Sequence, residues 1–197
     1  MTYKVIIDDA RHTPLGIFNR VLESHEELQE LRSLLFDYER KIAILTKEGE
    51  LKLRGALVAG LACLPDAQGP LKPLFGWLLE EVLGYWPDWL IILSEDFWAQ
   101  AKAIEREALI VHEALHCGQQ RDKFGEPRFN TATGEPVIGI RHHDVEEFHA
   151  VVRRYGAWTP DLKEFQAAMS EGDSKRRKGR DGLLSVSALS VIPGGRS

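Results

Sequence analysis

One short pattern limits what this chain can become: His112-Glu113-Ala114-Leu115-His116, which follows the apolar run Ala108-Leu109-Ile110-Val111 and precedes Cys117-Gly118. On a helix, residues four apart project from one face, one turn apart. Two imidazoles placed so can bind one tetrahedral zinc ion. A glutamate beside the first of them can reach a water on that ion and take its proton. Stepped at about 100° per residue, Leu109, Ile110, Val111, Ala114, Leu115 and Cys117 surround most of the helix. That spacing predicts a helix buried nearly all round. Two histidines and a glutamate in such a helix need partners, because each polar group left unpaired there is costly. A metal with a bound water satisfies all three. The competing reading is a core helix whose histidines bond backbone carbonyls and whose Glu113 pairs with an arginine.

The chain has 197 residues, which suits one domain or one domain with tails. A hydrophobic content of 44 % allows a sizeable core. The net charge of −5 and the pI near 5.8 leave no global basic field for nucleic acid. No apolar run approaches the roughly 20 residues that span a bilayer. The N-terminus lacks the apolar core of a secretory signal, so a cytosolic protein is expected. Cys63 and Cys117 both lie in apolar sequence and read as small buried hydrophobes. Cys117 points about 100° away from His116 on a helix and is not taken as a ligand.

Before the motif, residues 3–7 read as a strand, and the region of Asp8, Asp9 and Pro14 breaks it. Apolar residues at three- and four-residue spacing predict a helix over 17–40. Residues 41–46 and 51–54 read as a hairpin turning around Gly49. A strand interrupted by Gly60 follows over 57–64, then a loop over 65–73 and a short helix over 74–83 ended by Gly84. Trp89–Leu93 is a short apolar strand. Ser94 or Asp96 caps the helix that leads, with a possible break, into the motif. Gly118 is placed to close that helix. Phe124, Phe129 and Val137-Ile138 suggest a small hairpin in the polar stretch 119–141. A second helix is predicted over Asp144–Tyr155, stopped by Gly156, and a short one over 162–169.

The organisation is therefore α+β. A single domain covers 1–170, with an N-terminal strand and helix in 1–40 and an insertion at 65–86. A basic tail over 171–197, expected to be disordered in isolation, contains Lys175-Arg176-Arg177-Lys178-Gly179-Arg180. That run is most simply a solvated tail, and a nucleic-acid contact is its minority reading.

A catalytic zinc usually has three protein ligands and one open position. Four residues compete for the third. The metzincin pattern would require glycine where Gln119 stands and would make Asp122 the ligand. His142 and His143 lie just before the second predicted helix, and Glu147 lies one turn inside it. Asp144 and Glu147 also have the spacing of a capping box, a structural use for both. His143 would then precede the cap, where its side chain can turn into a cleft. If the helix starts a turn earlier, Glu147 shares a face with His143 and becomes a carboxylate ligand. Spacing puts His143 first and leaves the others open.

The motif together with His143-Asp144-Val145-Glu146-Glu147-Phe148 and Arg154-Tyr155-Gly156 resembles the putative phage metallopeptidase family. The resemblance extends to Gly55 and the strand Trp89–Leu93 and covers roughly 40–158. It implies a zincin-like fold, a small mixed or antiparallel sheet packed on a buried motif helix and a second active-site helix. It implies zinc held by His112, His116 and His143, with Glu113 as the catalytic base. It further implies a phage or prophage origin and a peptide or protein substrate, without membrane attachment. Tyr155, His149 and Arg141 are the available types for stabilising an oxyanion. Strand 57–64 or Trp89–Leu93 could pair with an extended substrate. Two alternatives stand beside this reading. One is a non-catalytic zincin-fold module that binds a partner. The other is a DNA-associated protease of the SprT-like kind, with the basic run touching nucleic acid.

Overall fold

The computed structural model describes residues 2–66, 72–143, 145, 152, 156–157 and 160–187. The chain divides into two compact units, Met1–His142 and His143–Ser197.

In the first unit, helix α1 spans Pro14–Ser24. It starts three residues before the expected boundary because Thr13 caps it, its hydroxyl accepting from Gly16 N at 3.2 Å, and Pro14 sits at the first helical position. The continuous helix expected over 17–40 is broken. His25 turns extended, a single 3-10 turn covers Glu26–Leu28, and α2 runs over Gln29–Phe36. The apolar spacing survives the break: Val21, Leu22, Leu28, Leu31 and Leu34 are all buried.

Strands β1 (Tyr3–Val5), β2 (Ile42–Lys47), β5 (Gly60–Cys63) and β6 (Trp89–Ser94) form a mixed sheet in the order β1-β2-β6-β5. β2 pairs antiparallel with β1 and parallel with β6, which places Ile42 opposite Trp89. The expected hairpin around Gly49 does not form, because β2 already has a neighbour on each side. Lys52–Leu53 (β3) pairs instead with Ala56–Leu57 (β4) across Arg54 and Gly55, both at positive φ. Two such residues make the tight turn whose twist suits a hairpin.

Helix α3 (Lys72–Leu83) buries none of its residues and ends at Gly84, whose φ is +76°. Helix α4 (Glu95–Gln100) is capped by Ser94, whose hydroxyl accepts from Phe97 N. Ala101 then turns extended, and α5 (Ala103–His116) carries the motif. Its first turn is closed by Glu105, whose carboxylate accepts from Lys102 N at 2.7 Å.

α5 packs on α1 and β5. Ile110, Glu113 and Ala114 are buried and Leu109, Val111 and Leu115 partly so, whereas His112 and Ile104 are exposed. The helix is thus buried along one side rather than all round, because only that side meets α1 and the sheet. Gly118 does not close it in a left-handed turn. Cys117–Gln119 is strand β7, paired antiparallel with β8 (Ile138–Ile140). A Cβ on Gly118 would lie 2.7 Å from Arg141 Cδ and 3.0 Å from Glu30 Oε1, so close approach accounts for the glycine. The small hairpin expected in 119–141 appears as bridges pairing Arg121 with Pro127 and Phe129 with Pro136. Trp89, fully buried, donates its indole N–H to Gly139 O at 2.9 Å and ties β6 to β8. Burying side chains such as Trp89, Ile91, Leu93 and Ile110 stabilises by roughly 1.5–3 kcal/mol each.

In the second unit, helix α6 runs over Pro160–Ser187. The short helix expected over 162–169 is its beginning, and the basic run 175–180 lies within it. The second helix expected over Asp144–Tyr155, with its proposed cap, lies outside the described residues apart from Val145 and Val152. No helix among the described residues is long and apolar enough to cross a membrane.

Candidate metal centre

Helix α5 sets the first two site residues. His112 and His116 stand one turn apart, and their Nε2 atoms approach to 3.3 Å. The rings meet edge to face, with centroids 4.9 Å apart. On its other ring nitrogen, His116 Nδ1 lies 2.6 Å from the carbonyl oxygen of Arg141. A donor at Nδ1 fixes the tautomer and leaves Nε2 as the lone-pair nitrogen, the arrangement that metal-binding histidines commonly use. Arg141 is held there by its own backbone, its N–H donating to His116 O at 2.8 Å.

His143 follows directly on the last residue of the first unit. His112, His116 and His143 each offer one ring nitrogen, and these atoms all lie within 4.8 Å of one another, so the three could hold a metal ion. The pair on α5 allows a test of fit. Two nitrogens bound tetrahedrally at about 2.0–2.1 Å from one ion stand about 3.4 Å apart. The observed 3.3 Å matches that. Imidazole suits zinc, copper, iron and nickel, so the ligand set does not by itself select zinc.

Glu113 lies on the buried side of α5, 3 % exposed. Burial pushes its carboxyl up to about 7, partly opposed by a hydrogen bond from the Ala62 backbone amide. The strand that supplies this amide is, among the described residues, an edge of the sheet. Ser94 N donates to Ala59 O at 2.8 Å, and Gly60 lies opposite Leu93. Antiparallel ladders alternate, so Leu61 and Cys63 spend their backbone groups on β6 while Gly60 and Ala62 turn theirs to the open edge. Glu113 sits at that edge. A Cβ on Gly60 would meet Glu113 Oε1 at 2.5 Å.

The other candidates separate clearly. Asp122 accepts from Phe124 N at 2.8 Å and from Glu126 N at 3.0 Å, which is turn chemistry, and it is not among the clustered residues. His142 is exposed and also outside the cluster. Glu147 lies outside the described residues, as do Tyr155 and His149. Arg141 contributes its carbonyl to His116, and its side-chain carbons border Gly118. Cys117 is buried and donates weakly to Glu113 O at 3.6 Å. Cys63 is only partly buried, short of the full burial expected. Burial raises both thiols. Of the two strands considered for substrate pairing, β6 has neighbours on both sides, and among the described residues β5 has one on one side alone.

Sequence alone does not reveal the contacts of Gly60, the Ala62 amide or the Arg141 carbonyl. The only signal for the first was a glycine interrupting an apolar strand. The other two act through backbone atoms, which carry no residue signature.

The fold and the histidines together define an α+β protein able to hold a metal ion. A family model matches residues 16–169, and the chain belongs to the family described as putative phage metallopeptidases. That match reaches further toward the N-terminus than the motif-bearing span and takes in α2 and all of α1 but its first two residues. No curated protein matches the chain, and no solved structure does.

Proposed function

We propose that this chain is a zinc-dependent peptidase with a zincin-like active site, in which His112, His116 and His143 hold the metal and Glu113 is the general base. One observation carries the reading: three imidazole nitrogens lie within 4.8 Å of one another, and the residue next to His112 is a buried glutamate whose carboxylate meets strand β5. A purely structural metal site has no use for that glutamate. The family's description supports the same chemistry and, with it, a phage or prophage origin and action on peptides or proteins; the host cytosol is the compartment we propose for it.

Bound there, zinc supplies a Lewis acid and a water that ionises near neutral pH. The chain's own groups do the rest. An extended substrate segment pairs with the outward edge of β5 through the backbone groups of Gly60 and the carbonyl of Ala62, whose N–H faces Glu113. That pairing lays a peptide bond across the face of α5 that carries His112 and His116. Glu113 can accept a proton from water and return it to the leaving amine. The Arg141 carbonyl holds the His116 ring in the ligating tautomer.

Metal analysis of wild type beside His112→Ala, His143→Ala and Glu147→Ala tests the ligand set. Wild type and Glu147→Ala should carry one zinc per chain, and both histidine variants should lose it. Full zinc in His143→Ala removes that residue from the set, and a metal-free wild type removes the whole reading. Glu113→Gln should keep zinc and lose all cleavage of a mixed peptide library that wild type cuts.

A further inference from the structure

We infer that strand β5 is a positioning device for the general base: the missing side chain of Gly60 and the amide of Ala62 together set where the Glu113 carboxylate stands. The inference rests on the reading of Glu113 as base.

Gly60 is not among the glycines held at positive φ, so its backbone does not demand glycine. A glycine inside a strand weakens it, and where the backbone is ordinary it marks a close approach by another group. Here that group is a single side chain. A Cβ on Gly60 would lie 2.5 Å from Oε1, 2.8 Å from Cδ and 2.9 Å from Cγ of Glu113. Any other residue at this position must therefore push the carboxylate aside. The strand also holds it from a second point. Ala62, two residues on, turns its N–H to the same edge, from where it favours the charged carboxylate. A steric stop and a donor on one rigid strand leave the carboxylate little freedom. α5 fixes His112 and His116 beside Glu113, so β5 sets the distance between base and metal ligands. Gly60 and Ala62 are positioning residues and touch no reacting atom.

Two measurements test this, and neither needs a known substrate. The first is a thermal-unfolding cycle on metal-free protein. Gly60→Ala should lower the midpoint by several degrees when Glu113 is present and leave it unchanged in a Glu113→Ala background. An equal loss in both backgrounds overturns the inference, because the added methyl would then be clashing with something else. The second is the visible spectrum of cobalt-loaded protein. Gly60→Ala should keep full cobalt and move the absorption bands in the direction that Glu113→Ala moves them, and a wild-type spectrum overturns the inference. Should Gly60→Ala fail to fold, Ala62→Pro serves in its place. It replaces the donor facing Glu113 by a ring carbon, which can neither donate to the carboxylate nor leave it in place, and the same spectral shift is expected. If a peptide is cleaved by wild type, kcat for Gly60→Ala should fall on the order of a hundredfold with KM and metal content held. A wild type that cleaves nothing or binds no cobalt counts against the peptidase reading, while the unfolding cycle still decides whether β5 positions Glu113.

Discussion

Glu113 carries an electrostatic cost that can be measured on its own. Without metal, burial pushes its carboxyl from about 4.5 to about 7. A carboxyl with a raised folded-state pKa makes the folded form poorer when ionised. The cost is absent below the unfolded value, grows between about pH 4.5 and 7, and is constant above that. Metal-free wild type should therefore lose stability relative to Glu113→Gln as pH rises, with a gap on the order of 3 kcal/mol at about pH 8. Urea unfolding of both proteins at about pH 5 and about pH 8 checks it, and a gap that does not widen sinks the idea. The same residue shows what could be read from sequence alone. His112, Glu113 and His116 are legible because helical spacing is local. Gly60 and Ala62 reach Glu113 only through the order of strands in a sheet, and nothing in the fifty or so intervening residues announces that.

Among the elements, boundaries marked by punctuation were readable. Gly84 ends α3, Ser94 caps α4, and Trp89–Ser94 is the strand its apolar run suggested. What failed was anything decided by competition. The turn at Gly49 looked sufficient for a hairpin, but β2 had two better partners. The motif helix looked buried all round because its sequence shows what can be buried and not how much neighbouring surface exists to bury it. Gly16 in α1 is a sharper case. A Cβ there would sit 2.1 Å from Ala10 O and 2.5 Å from Asp9 O, both backbone atoms of the segment that leads into the helix. Replacing a helical glycine by alanine normally gains about 1 kcal/mol. Here the main chain would have to move, and Gly16→Ala should lose about 2 kcal/mol. A urea midpoint equal to or above wild type would show that the segment 8–13 does not pack there.

Across the whole molecule, the α+β class and the absence of a spanning helix followed from periodicity and composition, and the described residues agree with both. The sheet order did not follow. Parallel pairing of Ile42–Lys47 with Trp89–Ser94 closes a long stretch of chain around β3, β4, β5 and α3, and no local pattern encodes it. That order has a consequence in time. β5 lies at the margin of the sheet and, among the described residues, pairs with β6 alone. Amide protons of Leu61 and Cys63 should exchange with solvent sooner than those of Ile91 and Leu93 in the middle of the sheet. Equal protection would mean that β5 opens only when everything opens. If it opens first, mild heat or denaturant frees the Glu113 carboxylate while the core is still folded, because the chain lets go of the glutamate before it lets go of itself.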